Sequence, residues 1–297
     1  MNILITGSSG LLGSSIFEHL KNQGENVIRF NRDDFSWVDQ KKNIENFKGI
    51  DIVIHAAANT DVENCEENPE ACYRDNTLFT ERLALASNSA NCKFIFISST
   101  GIYGLKKDII PYSEYDLVNP TTHHHKCKWI AEQSVNNYCK NSLVLRTGWI
   151  FGGSPNNLKN FVTNRILEAF LTKEKKIFSN IQQLGSPTYT FDFAHLLYFM
   201  IKRDEVGTFN IVNEGFASRY DYVSKIIEIA EIDIEVIPSR SDSFSRKAKV
   251  SNNEMAVSMK LDLFGYERLP NWEISLEKYI RNDLNNWFEE IKLNAKS

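Results

Sequence analysis

The chain has 297 residues, 42% of them hydrophobic and 24% charged, with a net charge of −4. That length builds one large or two modest domains with full cores, and the acidic balance argues against a nucleic-acid partner. No apolar run is long enough to span a bilayer, and Met1 leads straight into a strand rather than a cleavable signal. A cytoplasmic protein with no membrane partner is therefore expected. Cys65, Cys72, Cys92, Cys127 and Cys139 lack paired spacing and read as free thiols.

In chain order, Met1–Thr6 reads as a short buried strand, and Gly7-Ser-Ser-Gly-Leu-Leu-Gly13 reads as a turn. Ser14–Gln23 reads as an amphipathic helix. A strand that breaks into a glycine turn and opens a helix is a device for holding a pyrophosphate. The glycines let backbone approach the ligand, and the free N–H groups of the helix start face its charge. The spacing is G-x-x-G-x-x-G rather than G-x-G-x-x-G, so the strand before it and the helix after it carry the inference.

Further strands are expected at Glu25–Phe30, Asp51–His55, Lys93–Ser98 and Ser142–Thr147, with helices at about Pro69–Asn88 and Thr121–Tyr138 between them. Near-continuous β-branched and aromatic strands alternating with helices predict an α/β fold. Its core is a doubly wound parallel sheet of Rossmann type, with ligands at the C-terminal strand ends. Past Phe151-Gly-Gly-Ser-Pro155 helices dominate, at Asn160–Thr172, Asp192–Lys202, Tyr220–Ala230 and Asn271–Leu293, with a short strand at Gly207–Val212. The expected division is a dinucleotide-binding domain over 1–154 and a smaller, mostly helical substrate lobe over 155–297. Residues 188–212 are candidates to return to the sheet. Phe30, Phe94, Phe96, Phe161 and Phe170 read as core, and Lys173-Glu-Lys-Lys176 as a solvated face.

Polar clusters sit at the strand ends. His55-Ala-Ala-Ala58 offers side chains too small to block a cofactor, Ser98-Ser-Thr100 ends the fourth strand, Asn76 lies in the long helix, and Lys128 follows Asn119-Pro120. At these residues the chain resembles the extended short-chain dehydrogenase/reductase superfamily, and within it the dTDP-4-dehydrorhamnose reductases. The resemblance rests on Thr6–Gly13, on His55-Ala-Ala-Ala-Asn-Thr-Asp-Val62 with Glu66 and Pro69-Glu70, and on Leu145-Arg-Thr-Gly-Trp-Ile-Phe-Gly152. It extends to Gly185-Ser-Pro-Thr-Tyr-Thr190 and Gly207–Gly215, and so covers nearly the whole chain.

The resemblance implies NADP, or alternatively NAD, held by Gly7, Ser9, Gly10, Leu11, Leu12, Gly13, Asn31, Arg32, Ala56, Ala57, Ala58 and Lys128. Arg32 suits a 2′-phosphate, although Asp33 and Asp34 follow it. The resemblance also implies hydride transfer to the keto group of a nucleotide-linked 4-keto-6-deoxysugar in surface-polysaccharide synthesis. Thr60, Val62, Trp149, Gln183 and Thr188 would face the sugar nucleotide, and Arg146 would be a further phosphate or sugar contact. Ser99, with Thr100 beside it, would meet the developing alkoxide. Asn76 would help place Lys128.

A Tyr four residues before the Lys normally supplies the proton. Here His124 occupies that position. A neutral imidazole beside the Lys128 charge still presents one N–H, which would serve as the donor. Two other readings stay open: a nucleotide-sugar epimerase on the same fold, or a non-catalytic binding subunit of the kind seen in the beta regulatory subunit of methionine adenosyltransferase. The run His123-His-His125 with Cys127 cannot face one ion, because successive helical residues point about 100° apart, so no metal is expected. The sequence leaves room for a homo-oligomer.

Overall fold

The computed structural model describes residues 1–105, 109–240 and 246–294. Residues 241–245 and 295–297 of the expected substrate lobe lie outside the described residues. Strands β1 (Asn2–Thr6), β2 (Asn26–Phe30), β3 (Ile52–His55), β4 (Lys93–Ser99), β5 (Ser142–Thr147) and β6 (Gly207–Asn210) form one sheet in the order β2-β1-β3-β4-β5-β6. Every pairing in it is parallel. Strands β2 and β3 flank β1 on opposite sides, so the chain changes direction across β1 and β3 and opens a crevice at their C-terminal ends.

The strands sort their side chains by alternation. Ile3, Ile5, Ile52, Ile54, Ile95, Ile97, Leu143 and Leu145 face one core, together with Ile16, Phe17 and Leu20 of α1 (Leu11–Asn22). Leu4, Val53, Phe94, Phe96 and Val144 face the other, against Leu83 of α5 (Phe79–Ser89) and Ala131 and Val135 of α6 (His123–Tyr138). With both faces covered, the strands carry little polarity until they end. The late helix α8 (Thr190–Lys202) joins the first core through Phe193, Leu197 and Met200, and β6 adds Phe209.

Two helices expected to be continuous are not. The stretch read as Pro69–Asn88 is α4 (Pro69–Tyr73), a π-helical turn at Arg74–Leu78, and α5. The stretch read as Asn271–Leu293 is Trp272–Lys278, a second π turn at Tyr279–Asp283, and Asn285–Asn294. A wide turn inserts one extra residue without changing the apolar spacing enough to be read. The lobe after Phe151 is also less helical than its texture suggested. Lys176–Asn180 pairs with Glu235–Ser239, Leu184–Gly185 with both Ala217–Ser218 and Asn253–Glu254, and Ile150–Phe151 with Thr188–Tyr189. Strands of two residues are too short to show a period of two. The lobe's core is aromatic, with Phe151, Tyr189, Tyr222, Trp272 and Tyr279 packed together.

Candidate active site

The glycine turn is set by crowding. Gly7 has φ +71°, and a Cβ there would lie 2.5 Å from the Ala57 nitrogen. A Cβ on Gly13 would lie 2.1 Å from the Gly7 carbonyl oxygen. The turn is thus pressed between the end of β3 and the first turn of α1, and only hydrogen fits. Gly10 donates to the Gly7 carbonyl at 3.0 Å and stands at the N-cap of α1, where no side chain caps the helix. By contrast, Thr122 caps α6 by accepting from His125 N, and Ser218 caps α9 (Arg219–Ile229). The first N–H groups of α1 thus have no side-chain acceptor, as a helix start that meets an anion requires. Ser9 and Gly10 are exposed, Leu11 and Ala56–Ala58 half-buried, while the Leu12 side chain belongs to the core.

A buried relay ties this cradle to the helical side. Ala57 N–H donates to Thr6 Oγ1 (3.3 Å), which lies 2.7 Å from His55 Nδ1. His55 Nε2 lies 2.9 Å from Thr80 Oγ1, and Thr80 donates to the Asn76 carbonyl at 2.8 Å. Because the Thr80 proton is engaged, His55 Nε2 must be the donor and Nδ1 the acceptor. Burial, and then the Lys128 charge, hold His55 far below the ordinary histidine pKa, so the ring stays neutral.

At the end of β4, Ser99 Oγ accepts from Gly101 N at 3.1 Å, which leaves its own proton to donate. Around it, Ser98 Oγ, Thr100 Oγ1 and Thr147 Oγ1 are buried without a hydrogen-bond partner. Thr100 packs on Gly148, where a Cβ would lie 2.5 Å from its hydroxyl. Buried hydroxyls without partners are costly. Here they gather at the C-terminal ends of β4 and β5, where a ligand in the crevice would meet them.

Lys128 is buried on α6. Its Nζ donates to the Ile97 carbonyl at 2.8 Å and lies 4.5 Å from the centre of the Phe96 ring. Burial pulls its pKa down from 10.5 to about 8, against the opposing pull of Glu132. Asn76, on the π turn, does not bond Lys128. Its Oδ1 accepts from Asn59 N (2.8 Å) and its Nδ2 donates to the Asn59 carbonyl (2.9 Å). His124 Nδ1 lies 2.9 Å from the same carbonyl and 3.4 Å from Asn76 Nδ2. The N–H that sequence reasoning aimed at the substrate is therefore engaged by backbone. Burial first, then His125, Lys128 and Lys159, hold His124 well below the ordinary pKa, and the Asn59 carbonyl pulls the other way. The three consecutive imidazoles diverge: His123 pairs with Glu66, His124 meets Asn59, and His125 lies beside Thr122 and against Gly101.

On the substrate side, Trp149 takes φ +32° after β5, and its Nε1 donates to Glu254 at 2.7 Å. The Arg219 guanidinium stacks 3.5 Å over the indole, and Gly185 lies beneath it, where a Cβ would strike the ring. Burial pulls the Arg219 pKa down to about 10, partly offset by Glu254. Thr60 is exposed and receives Lys159 Nζ at 2.7 Å; Val62 is half-buried at the start of α3 (Val62–Glu67). Gln183 is buried, and its carbonyl accepts from Arg219 N at 3.0 Å. Thr188 is fully buried with its hydroxyl donating to Ser186, so its polar atom is engaged inside the lobe.

Arg146 is not a cleft contact. It is buried and bonded to Glu132 and Tyr103, because a guanidinium on a central strand needs a carboxylate at hand. Arg219, Glu254 and Lys159 were not foreseen, since no local spacing links them to Trp149 or Thr60. At the end of β2, Asn31 N donates to Asp34, and Arg32 pairs with Asp75, which also accepts from Arg74 Nε at 3.0 Å.

Over residues 1–285 the chain matches the family described as RmlD substrate binding domain. The chain belongs to that family. It is similar to a dTDP-4-dehydrorhamnose reductase from Clostridium acetobutylicum, 30% identical with a TM-score of 0.89, covering 96% of this chain and 100% of that one. It is also similar to the dTDP-4-dehydrorhamnose reductase of Bacillus anthracis solved in complex with NADP, 25% identical with a TM-score of 0.87, covering 94% and 98%. The spore coat polysaccharide biosynthesis protein SpsK of Bacillus subtilis is 26% identical over 281 residues, 94% of this chain and 96% of that protein.

For an RmlD-family chain the residues present fit a dinucleotide. The cradle of Gly7, Gly10 and Gly13 is one a Cβ would fill, and the unpartnered hydroxyls lie at the C-terminal ends of strands in the same parallel sheet. Among the described residues no group of three or more His, Cys, Asp or Glu is placed to hold a metal ion, and no helix is long and apolar enough to cross a membrane.

Proposed function

We propose that this chain reduces the keto group of a nucleotide-linked 4-keto-6-deoxysugar with NADPH, in the synthesis of a surface polysaccharide. The observation that carries this reading is the set of buried, unpartnered hydroxyls of Ser98, Thr100 and Thr147 beside Ser99, at the C-terminal end of the sheet that also carries the glycine cradle. Similarity to dTDP-4-dehydrorhamnose reductases over nearly the full length supports it.

In this reading the backbone of Gly7–Gly13 and the start of α1 hold the pyrophosphate, Arg32 meets the adenosine ribose, and Lys128 Nζ holds the nicotinamide ribose. Bound NADPH supplies the hydride. Ser99 donates its free proton as a hydrogen bond to the oxygen that gains charge, and His124 handles the proton. Trp149 and the Arg219 guanidinium stacked on it border the sugar site, and Arg219 gives that border a positive charge. The five buried free thiols suit a reducing cytoplasm.

The test is NADPH oxidation, followed by absorbance, with a dTDP-linked 4-keto-6-deoxysugar. Turnover that vanishes in Ser99→Ala with NADPH binding retained supports the reading. Tightly retained NAD(H) without net oxidation would point to an epimerase. Nucleotide binding with no turnover of any keto sugar would leave a binding subunit.

A further inference from the structure

We infer that Asn76 is a positioning residue that fixes His124 as its Nδ1–H tautomer through the Asn59 carbonyl, so that the ring meets the substrate with a hydrogen-bond acceptor, Nε2. In consequence His124 takes the proton of a carbinol as it stands, and donates one only after it has itself been protonated. This rests on the reading of the site as that of a sugar-nucleotide oxidoreductase.

The tautomer follows from the contacts at Nδ1. The Asn59 carbonyl oxygen lies 2.9 Å away, and a carbonyl can only accept. Were Nδ1 unprotonated, two lone pairs would face each other at that distance. Asn76 Nδ2 is a poorer candidate donor to the ring. It is 3.4 Å from Nδ1, and it already donates to Asn59 at 2.9 Å, with Cys72 Sγ also at 3.4 Å. Nδ1 thus carries the proton, and a neutral imidazole has only one.

The carbonyl is itself held. Asn76 grips both polar groups of the Asn59 backbone, N–H to Oδ1 at 2.8 Å and C=O from Nδ2 at 2.9 Å. That pairing admits one orientation of the amide, since the reversed amide would oppose donor to donor and acceptor to acceptor. The π turn at Arg74–Leu78 carries Asn76 to this place, and Thr80 fastens the Asn76 carbonyl one turn on.

The surroundings keep the ring neutral. His125 and Lys128 face it from its own helix, and Lys159 from the segment before α7 (Phe161–Leu171). Glu66 of α3 serves His123 instead, and the Cys72 thiol of α4 reaches the ring only through Asn76. Burial is the largest influence, and His125, Lys128 and Lys159 add to it against the opposing pull of the Asn59 carbonyl, so the ring sits well below the ordinary histidine pKa.

The chemistry is then directional. In oxidation of a carbinol, the O–H bond breaks and its proton joins Nε2, while the carbinol hydrogen leaves as hydride to the oxidised nicotinamide and the C=O bond forms. The new imidazolium keeps its Nδ1–H on the Asn59 carbonyl. Reduction retraces this path, so it must start from a ring already protonated. An unperturbed tyrosine, by contrast, carries its proton up to about pH 10 and so enters reduction already protonated. The reductive step of this chain therefore weakens as pH rises, by about tenfold per unit above the ring's pKa.

The test has two arms. In the free protein labelled with 15N-histidine, two-bond nitrogen–proton correlations report each ring's tautomer, with His124 assigned by its loss in His124→Gln. The expected result at pH 7.5 is an Nδ1–H ring in the native protein and a shift toward Nε2–H in Asn76→Ala. An Nε2–H ring in the native protein, or no shift in a folded Asn76→Ala, overturns the inference. The second arm is single-turnover reduction from pH 6 to 8.5. A steep fall that is abolished in His124→Tyr supports the inference, and a flat native profile overturns it. If no sugar is turned over at all, the oxidoreductase reading fails, and the first arm still decides the tautomer.

Discussion

The Arg146 guanidinium grips the Glu132 carboxylate with two nitrogens, Nε at 3.1 Å and Nη2 at 2.7 Å, in a pair that leaves the Glu132 side chain with no exposed surface. Its third nitrogen donates to Tyr103 at 3.0 Å, and Tyr103 donates to Asn210 at 2.8 Å. One buried pair thus couples β5 to α6 and, through Tyr103, to β6. Removing one partner strands the other charge in the core. Glu132→Gln should cost about 3–5 kcal/mol of unfolding free energy in urea denaturation, and the double replacement Glu132→Gln with Arg146→Met should cost less than the single one. A single variant within about 1 kcal/mol of the parent would show that water reaches the pair.

Lys128 is retained at a cost to stability. Folded, it releases its proton near pH 8; unfolded, it holds it to about 10.5. Between these values the unfolded state binds more protons, so stability climbs with pH. The buried-charge cost is present in full below pH 8 and fades through that window. The shift corresponds to roughly 3 kcal/mol. Lys128→Met should therefore stabilise the coenzyme-free protein by about 1–3 kcal/mol at pH 7 and lose the gain above pH 10. The same variant should bind NADPH more weakly by tenfold or more, because it removes the ammonium that in the proposed reading holds the nicotinamide ribose. Equal stability of the two proteins at pH 7 would count against a charged, desolvated Lys128.

Much of this site was legible in the sequence, where identity and spacing are local. Gly7, Gly10 and Gly13 sit together in seven residues, and their crowding against Ala57 is what a strand–turn–helix crossover demands. Ser99 and Lys128 are singled out by the family resemblance, and they lie at the end of β4 and on α6. What stayed hidden has three physical origins. A π turn leaves almost no periodic trace, so the role of Asn76 toward Asn59 could not be read. The partner of His124 is a backbone carbonyl, which every residue possesses. Arg219 meets Trp149, and Arg146 meets Glu132, only because the chain folds back on itself, and neither pairing has a spacing rule.

Coenzyme choice should turn on the charges at the end of β2. Arg32 and Arg74 both lean on the single carboxylate of Asp75, and Asp33 and Asp34 follow Arg32 in the same turn. Asp34 accepts from Asn31 N and so holds the turn in shape, while its charge and that of Asp33 set a repulsion that Arg32 must outweigh. This is the place where an adenosine ribose lies in a doubly wound sheet. A 2′-phosphate would draw Arg32 away from Asp75 while Arg74 keeps that carboxylate neutralised. Arg32→Ala should then weaken NADPH by about tenfold, the worth of one charge-assisted contact at a half-exposed site, and leave NADH within about twofold. Asp75→Ala should act in the opposite direction and tighten NADPH. Both effects should shrink as salt is raised, because the groups are open to solvent. Fluorescence titration with each coenzyme at two ionic strengths measures all of this. An equal loss for NADPH and NADH in Arg32→Ala would assign that residue to holding the turn rather than to reading the phosphate.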